Sequence, residues 1–251
     1  MIPSITVSWF SGGVSSAVAT WLVLDKLDNI IFQNIDDQEP DTYRFLSDCE
    51  EWYGRKITVQ QSPYKNVNNA CCGVAYINGP KGAACTRLLK RRERQLWESE
   101  ARFFNNFIYV WGLDCTETDR ASRIMHESMP EEKHLFPLID AGICKAEAHG
   151  ILASHGIARP KMYDLGYPNN NCVGCVKGGM GYWNKIRVDF PPVFLERSIM
   201  ERTVGASCIN GVYLDELDPD RGRDCKLILP ECGVMCESNK QQSLEVSSHD
   251  N

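Results

Sequence analysis

The sequence lacks the long apolar run of a membrane protein and the leader of a secreted one. No stretch approaches the roughly 18 consecutive apolar residues that a membrane span requires. No charged segment precedes the first apolar run, and glycines at 12 and 13 interrupt it, so we expect no secretory signal. Internal repeats and a linker between two large domains are also missing. We expect one cytoplasmic domain over residues 1–236 and a polar, disordered tail over 237–251, with no membrane partner.

Positive charge is in short supply, with 27 Lys and Arg residues against 33 Asp and Glu residues and a net charge of −6. This balance argues against a general binder of nucleic acid, because such affinity comes largely from lysine and arginine. A local exception is RLLKRRER at 87–94, which carries five of the basic residues. We interpret it as a solvated helix face, and contact with a nucleic acid is the alternative.

Cysteine, by contrast, is plentiful, with 12 residues. In a cytoplasmic chain, thiols are more often reduced, metal-bound or catalytic than joined in a disulfide framework. The segment Cys172-Val-Gly-Cys175 has the spacing of a tight chelate loop, and glycines at 174, 178 and 179 allow the turn. The alternative is that the thiols are free and pack as small apolar groups.

Strand-like and helix-like segments alternate along the chain. This order predicts an α/β fold, namely a Rossmann-like, doubly wound, mostly parallel sheet with helices on both faces and a Cys-rich C-terminal segment. In such sheets ligands bind beyond the carboxyl ends of the strands. Residues 62–86 and 169–181 are predicted loops. The predicted strands are 5–10, 29–35, 56–60 and 107–113, and the predicted helices are 16–25, 41–53, 87–101, 145–155 and 196–204.

The segment between the first predicted strand and helix has the composition of an anion-binding loop. Its two glycines let the main chain approach a phosphate closely, and free N–H groups at a helix N-terminus attract the anion. An ordinary turn capped by a serine is the alternative. The candidate ligands of a phosphate or sulfate group are Ser11, Gly12, Gly13, Ser15 and Ser16.

Five segments, taken in chain order, carry a resemblance to one family. The first resembles the pyrophosphate-binding PP-loop, usually written SGGxDS. The series spans roughly residues 5–236 and resembles the phosphoadenylyl-sulfate (PAPS) reductase family of the PP-loop adenine-nucleotide alpha-hydrolase superfamily. The segments are SGGVSS at 11–16, DDQEPDTYRF at 36–45, GLDCTETDR at 112–120, FPL at 136–138, and LGY at 165–167 followed by CVGC at 172–175.

The resemblance implies an adenylyl nucleotide as the ligand: PAPS, adenylyl sulfate (APS) or ATP. Loop 11–16 would lie at the phosphate or sulfate and Asp36 near the ribose or adenine, and Gly112 is a further candidate nucleotide-binding residue. Arg120 would hold the anionic end, because a guanidinium offers two parallel N–H donors to a phosphate. A surface position for this arginine is the alternative.

Two positions depart from the family pattern. Ser15 stands where ATP pyrophosphatases carry an aspartate beside magnesium, and a hydroxyl is a weaker ligand for this cation than a carboxylate. Asp114 stands where an arginine is expected, which removes one positive charge from the presumed anion site. Magnesium is therefore expected only if ATP is the substrate.

The resemblance also implies a metal site. Four thiolates are needed for a [4Fe–4S] cluster, and the cysteine pattern can supply them. A structural zinc ion would use the same ligands, and the absence of any metal is the third alternative. The candidate ligands are Cys72 (or its neighbour Cys71), Cys85, Cys172 and Cys175.

The segment Glu231-Cys232-Gly233 resembles the C-terminal ECG of the reductases, whose cysteine attacks the sulfate sulfur. Cys232 and Arg120 are therefore the candidate catalytic residues, and a thioredoxin-like thiol reductant is the expected partner. The function implied is reduction of PAPS or APS to sulfite. One alternative is an ATP pyrophosphatase that thiolates a tRNA or DNA base with a Cys-ligated iron–sulfur cluster. Another is a catalytically silent nucleotide-binding protein. A homodimer is common in such families.

Overall fold

Five short strands form one sheet in which every neighbouring pair is parallel, in the order β3-β2-β1-β4-β5. The computed structural model describes residues 3–80, 82–102 and 105–223, together with residue 228. The order places β1 at the centre and confirms the predicted α/β, Rossmann-like fold. The strands are β1 Ser4–Phe10, β2 Asn29–Asn34, β3 Thr58–Gln61, β4 Asn106–Val110 and β5 Lys133–Leu135.

Helices connect the strands and extend beyond the last one. None of the helices in the described ranges is long and apolar enough to cross a membrane. Two short π-helical segments, Thr86–Arg91 and Ile124–Ser128, precede or follow regular helices. The helices are α1 Val14–Leu22, α2 Asp41–Tyr53, α3 Val67–Gly73, α4 Arg92–Ala101, α5 Thr118–Arg123, α6 Pro137–Asp140, α7 Lys145–Ser154, α8 Lys161–Asp164, α9 Met180–Asp189 and α10 Pro191–Val204.

Alternation along β1 sends side chains to two apolar layers, as expected for a strand covered on both faces. Phe10 packs with residues of α1, α2 and α7, including Phe45, in the larger layer. Val7 faces the other way and packs with Tyr109 and with Trp97 of α4. Helices therefore cover both faces of the sheet, as the sequence predicted.

A further buried cluster lies beside the sheet, where α3, α9 and α10 pack together around the fully buried Trp183. The prediction of a loop over 62–86 was wrong at α3. That helix begins where the Asn66 side chain accepts the N–H of Asn69 at 2.8 Å, and Asp37 accepts the N–H of Val67 at 2.6 Å. The second contact comes from thirty residues away, so no local pattern could show it.

Candidate anion-binding site

The loop between β1 and α1 leaves backbone donors open at the start of the helix. Gly13 is the N-cap residue, and no side chain caps α1, so the serine cap considered above is not formed. Within the described part of the chain, the N–H groups of Ser15 and Ser16 have no hydrogen-bond partner. Unpaired N–H groups and the positive end of the helix dipole together attract an anion to such a position.

Contacts from the loop itself and from a distant segment fix the shape of this loop. Gly12 has a φ of +75°, which disfavours a side chain, and the N–H of Ser11 donates to Ser16 Oγ at 3.0 Å. Asn170 Nδ2 donates to the carbonyl oxygen of Gly12 at 2.8 Å. The hydroxyl of Tyr163 accepts the N–H of Val14 at 3.3 Å.

Asn170 and Tyr163 were not among the site residues predicted from the sequence. Both are buried, and both lie about 150 positions further along the chain than the loop that they hold. The one sequence signal was the nearness of Asn170 to the Leu165-Gly-Tyr167 and Cys172-x-x-Cys175 segments. That nearness does not say which asparagine of the run 169–171 turns inward.

Gly112, in the loop after β4, lies directly against the start of α1. A Cβ atom added to Gly112 would be 2.6 Å from Ser16 Cα and 2.8 Å from Ser16 N. Only glycine fits there without movement of the main chain. β1 lies between β2 and β4, so the loops after β1 and β4 meet at the point where strand order reverses, the usual place for a ligand in an open α/β sheet.

The two acidic residues after β2 have different surroundings. Asp36 is exposed at the same sheet edge and accepts a hydrogen bond from Gln61 Nε2 at 2.6 Å. Asp37 is an internal connector: it forms an ion pair with the fully buried Arg197 of α10 and accepts the N–H of Val67. Asp36 therefore remains accessible for the predicted ribose or adenine contact, which stays a prediction.

Arg120 occupies a surface position on α5. Its side chain is 59% exposed, and Nη1 donates to Glu117 Oε1 at 2.8 Å. Asp114 is buried, and its Oδ1 accepts hydrogen bonds from the N–H of Thr116 at 2.9 Å and from the Thr116 hydroxyl at 2.5 Å. Asp114 thus closes its own turn, and the anion contact of Arg120 stays a prediction.

The predicted metal ligands lie near one another without forming a ligand set. No group of three or more His, Cys, Asp or Glu side chains among the described residues has the arrangement of a metal site. Cys172 is buried in the cluster around Trp183, whereas Cys72 is exposed. Burial raises the pKa of Cys172 to about 12, and the neighbouring Cys175 and Cys85 add to this effect.

Cys71, rather than Cys72, is the buried member of the adjacent pair. Burial raises its pKa to about 12, and Cys85 adds to the increase. Burial likewise raises the pKa of Cys85, with Cys175 as the next contributor. Raised pKa values keep the thiols of Cys71, Cys85 and Cys172 protonated near neutral pH, so each would have to lose a proton to bind a metal.

Arg197 anchors the Cys172–Cys175 segment to the sheet edge. Its Nε donates to the carbonyl oxygen of Gly174 at 3.3 Å, and its guanidinium pairs with Asp37. The N–H of Val173 donates to the carbonyl oxygen of Asp37 at 2.8 Å. This buried ion pair was not predicted, because its two residues are 160 positions apart and charged residues are usually exposed.

Cys232, the predicted nucleophile, lies outside the described residues, and so does the predicted tail at 237–251. The flanking residues Glu231 and Gly233 are outside them as well. The assignment of Cys232 as nucleophile therefore rests on its sequence motif.

No family model matches the chain, and no curated protein matches it significantly. Solved structures that match include the crystal structure of phosphoadenylyl-sulfate (PAPS) reductase from Candida auris in a phosphate complex. That structure is 14% identical, the match covers 68% of this chain and 82% of that chain, and the TM-score is 0.44. At this level the likeness assigns neither a substrate nor a catalytic residue to the chain.

Proposed function

We propose that the chain binds an adenylyl nucleotide, with a phosphate or sulfate group on the loop 11–16. The observation that carries this proposal is the uncapped start of α1, where the N–H groups of Ser15 and Ser16 have no partner in the described ranges. Its position next to Gly112, at the reversal of strand order, adds support. The resemblance of the five sequence motifs to PAPS reductases supports an adenylyl nucleotide as the ligand class.

The reaction proposed is reduction of PAPS or APS to sulfite, as in PAPS reductases. The thiolate of Cys232 attacks the sulfur of the bound sulfonucleotide. A sulfur–sulfur bond forms, and the bond between sulfur and the bridging phosphate oxygen breaks. The nucleotide leaves with its phosphate negatively charged, and open N–H donors on the loop would stabilise that charge. A thioredoxin-like dithiol then reduces the thiosulfonate. Sulfite leaves, the thiol of Cys232 is restored, and the dithiol is oxidised to a disulfide.

The role of Cys232 has a direct test. Cys232→Ser is expected to abolish sulfite formation and to leave nucleotide affinity unchanged, because a hydroxyl is a far weaker nucleophile than a thiolate. Cys225→Ser, in the same segment, is the matched control and should keep turnover. Wild-type turnover by Cys232→Ser would rule this residue out as the nucleophile.

Thiolation of a nucleic acid is a second candidate, and the charges beside the thiols favour it. Lys90 and Lys177 act on Cys85 in the direction that lowers its pKa, and Lys90 also acts on Cys172. Both lysines are exposed, and so is Arg87, which lies on the same π-helical segment as Lys90. Such a group can attract a phosphate backbone toward the cysteines. Under this alternative, ATP and magnesium replace the sulfonucleotide.

Under either function, an iron–sulfur cluster or a zinc ion bound by the cysteines is part of the proposal. Thiol ligands suit iron or zinc, but the described residues contain no group of three or more side chains arranged to hold a metal. The measurement is the iron and zinc content of the protein purified without oxygen. Cys172→Ser should lower that content, and an equal content in wild type and variant would remove Cys172 from the ligand set.

Anaerobic incubation with PAPS, APS or ATP separates the candidate functions. Sulfite together with adenosine bisphosphate or AMP supports the reductase. AMP and pyrophosphate from ATP support thiolation. A nucleotide that raises the melting temperature without being consumed indicates a silent binding protein. No effect of any of the three nucleotides contradicts the proposed function.

A further inference from the structure

A lysine that belongs to none of the sequence motifs lies beside the anion-binding loop. Lys145 is the first residue of α7, and α7 packs against α1. A cation is unfavourable at this position, because the N-terminus of a helix already carries partial positive charge. Residues that break a local rule of this kind are often retained for function.

The neighbours of Lys145 place its amine near the loop. Nζ donates to Asn169 Oδ1 at 2.7 Å, and the adjacent Asn170 holds the carbonyl oxygen of Gly12. On its other side, the N–H of Cys115 donates to the carbonyl oxygen of Ile143 at 3.0 Å, which joins the start of α7 to the segment that follows Gly112, the glycine packed against Ser16. Lys145 is therefore bracketed by two segments that each touch the loop 11–16.

The charge of Lys145 is only partly balanced. Burial lowers the pKa of Lys145, and Asp114 and Glu117 act in the opposite direction, yet no ion pair within 4.0 Å joins the amine to a carboxylate in the described ranges. Asp114 Oδ1 accepts hydrogen bonds from Thr116, and both oxygens of Glu117 accept hydrogen bonds within the same turn. An ammonium has three donors, and Asn169 takes one of them.

A buried hydroxyl provides a second, independent indication of a ligand. The Tyr163 hydroxyl accepts the N–H of Val14 at 3.3 Å and lies 3.2 Å from the point where a Cβ on Gly13 would be. Among the described residues its own proton has no acceptor, although the side chain is 3% exposed. A buried donor is rarely left unpaired, so an acceptor is expected at the loop.

We propose that Lys145 is the cationic ligand of the phosphate or sulfate group held by the loop 11–16. The inference deepens the proposed function and rests on it for the nucleotide. The substrate class is an adenosine with at least one anionic phosphate, and Lys145 distinguishes it from uncharged adenosine. Its contribution is to ligand affinity and orientation, since a lysine contacts phosphate as a point charge.

The test is titration calorimetry of the full chain with ADP, adenosine and inorganic pyrophosphate. Lys145→Met should bind ADP and pyrophosphate about tenfold or more weakly than wild type, because charge-assisted hydrogen bonds are the stronger class. Its affinity for adenosine should change little. Lys145→Arg should retain most of the affinity for both anions. Lys133→Met, an exposed lysine at the start of β5 on the opposite sheet edge, is the matched control.

The outcomes separate this inference from the proposed function. If Lys145→Met binds ADP like wild type, or loses adenosine and ADP equally, the inference is wrong while nucleotide binding stands. If wild type binds pyrophosphate through Lys145 but neither ADP nor adenosine, the proposed function is wrong while the anion site stands. Binding of none of the three ligands by wild type overturns both. Melting temperatures of the variants identify any that fail to fold.

Discussion

The close approach of Gly112 to α1 gives the sharpest prediction about the site. In Gly112→Ala the new Cβ would be 2.6 Å from Ser16 Cα, whereas ordinary contact begins at 3.4 Å. The two main-chain segments would have to separate by about 0.8 Å, and neither can escape by rotating a side chain. Overpacking of this kind costs about 1–3 kcal/mol, and we expect the upper part of that range.

Two assays measure the effect of Gly112→Ala. A loss of about 2–3 kcal/mol corresponds to a melting temperature lower by about 5–10 °C in a chain of this size. Displacement of the loop should also weaken ADP binding about tenfold or more, since errors near 1 Å are costly at a positioned site. The control is Gly179→Ala, because a Cβ on Gly179 meets nothing within 4 Å. Wild-type stability and ADP affinity in Gly112→Ala would refute the packing argument.

Two further predictions concern buried charge. Arg197→Met leaves the carboxylate of Asp37 without its partner and should lower the free energy of unfolding by about 3–5 kcal/mol. Urea unfolding measures this loss, and Arg202→Met, which removes an exposed arginine, is the control. Equal unfolding midpoints for the two variants would contradict the prediction. Burial lowers the pKa of His149 from 6.5 to about 4, so the unfolded chain binds the proton more readily. The contribution of His149 to the free energy of unfolding is therefore complete above pH 6.5 and is lost as the pH falls toward 4, by up to about 3 kcal/mol. In His149→Leu, the free energy of unfolding should fall less between pH 6.5 and pH 4 than in wild type.

Much of the fold could be predicted from the sequence, because β1, β2 and α2 follow simple patterns. The predicted helix 41–53 coincides with α2, which ends at a left-handed Gly54. Shorter elements escaped prediction where distant contacts form them. β5 has three residues and exists through pairing with β4. α10 begins at Pro191, five residues before the predicted start, in the position where proline is tolerated in a helix.

The candidate site was predictable only where it is local in the sequence. The loop 11–16 combines glycine, serine and a following helix within a few residues, so its pattern is readable. Tyr163 and Asn170 contact it from distant segments, and nothing in their immediate neighbours distinguishes them. The exposure of Cys72 beside the buried Cys71 is likewise a property of packing, which adjacent identical residues do not reveal.

The central claim is that an adenylyl nucleotide binds the open N–H groups at the start of α1. The most direct measurement is a two-dimensional amide NMR titration of the isotopically labelled chain with ADP. The account predicts that the amide signals of Gly12, Gly13, Ser15 and Ser16 shift on binding and exchange more slowly with solvent. Binding of ADP that leaves these four signals unchanged, or no binding at all, would contradict it.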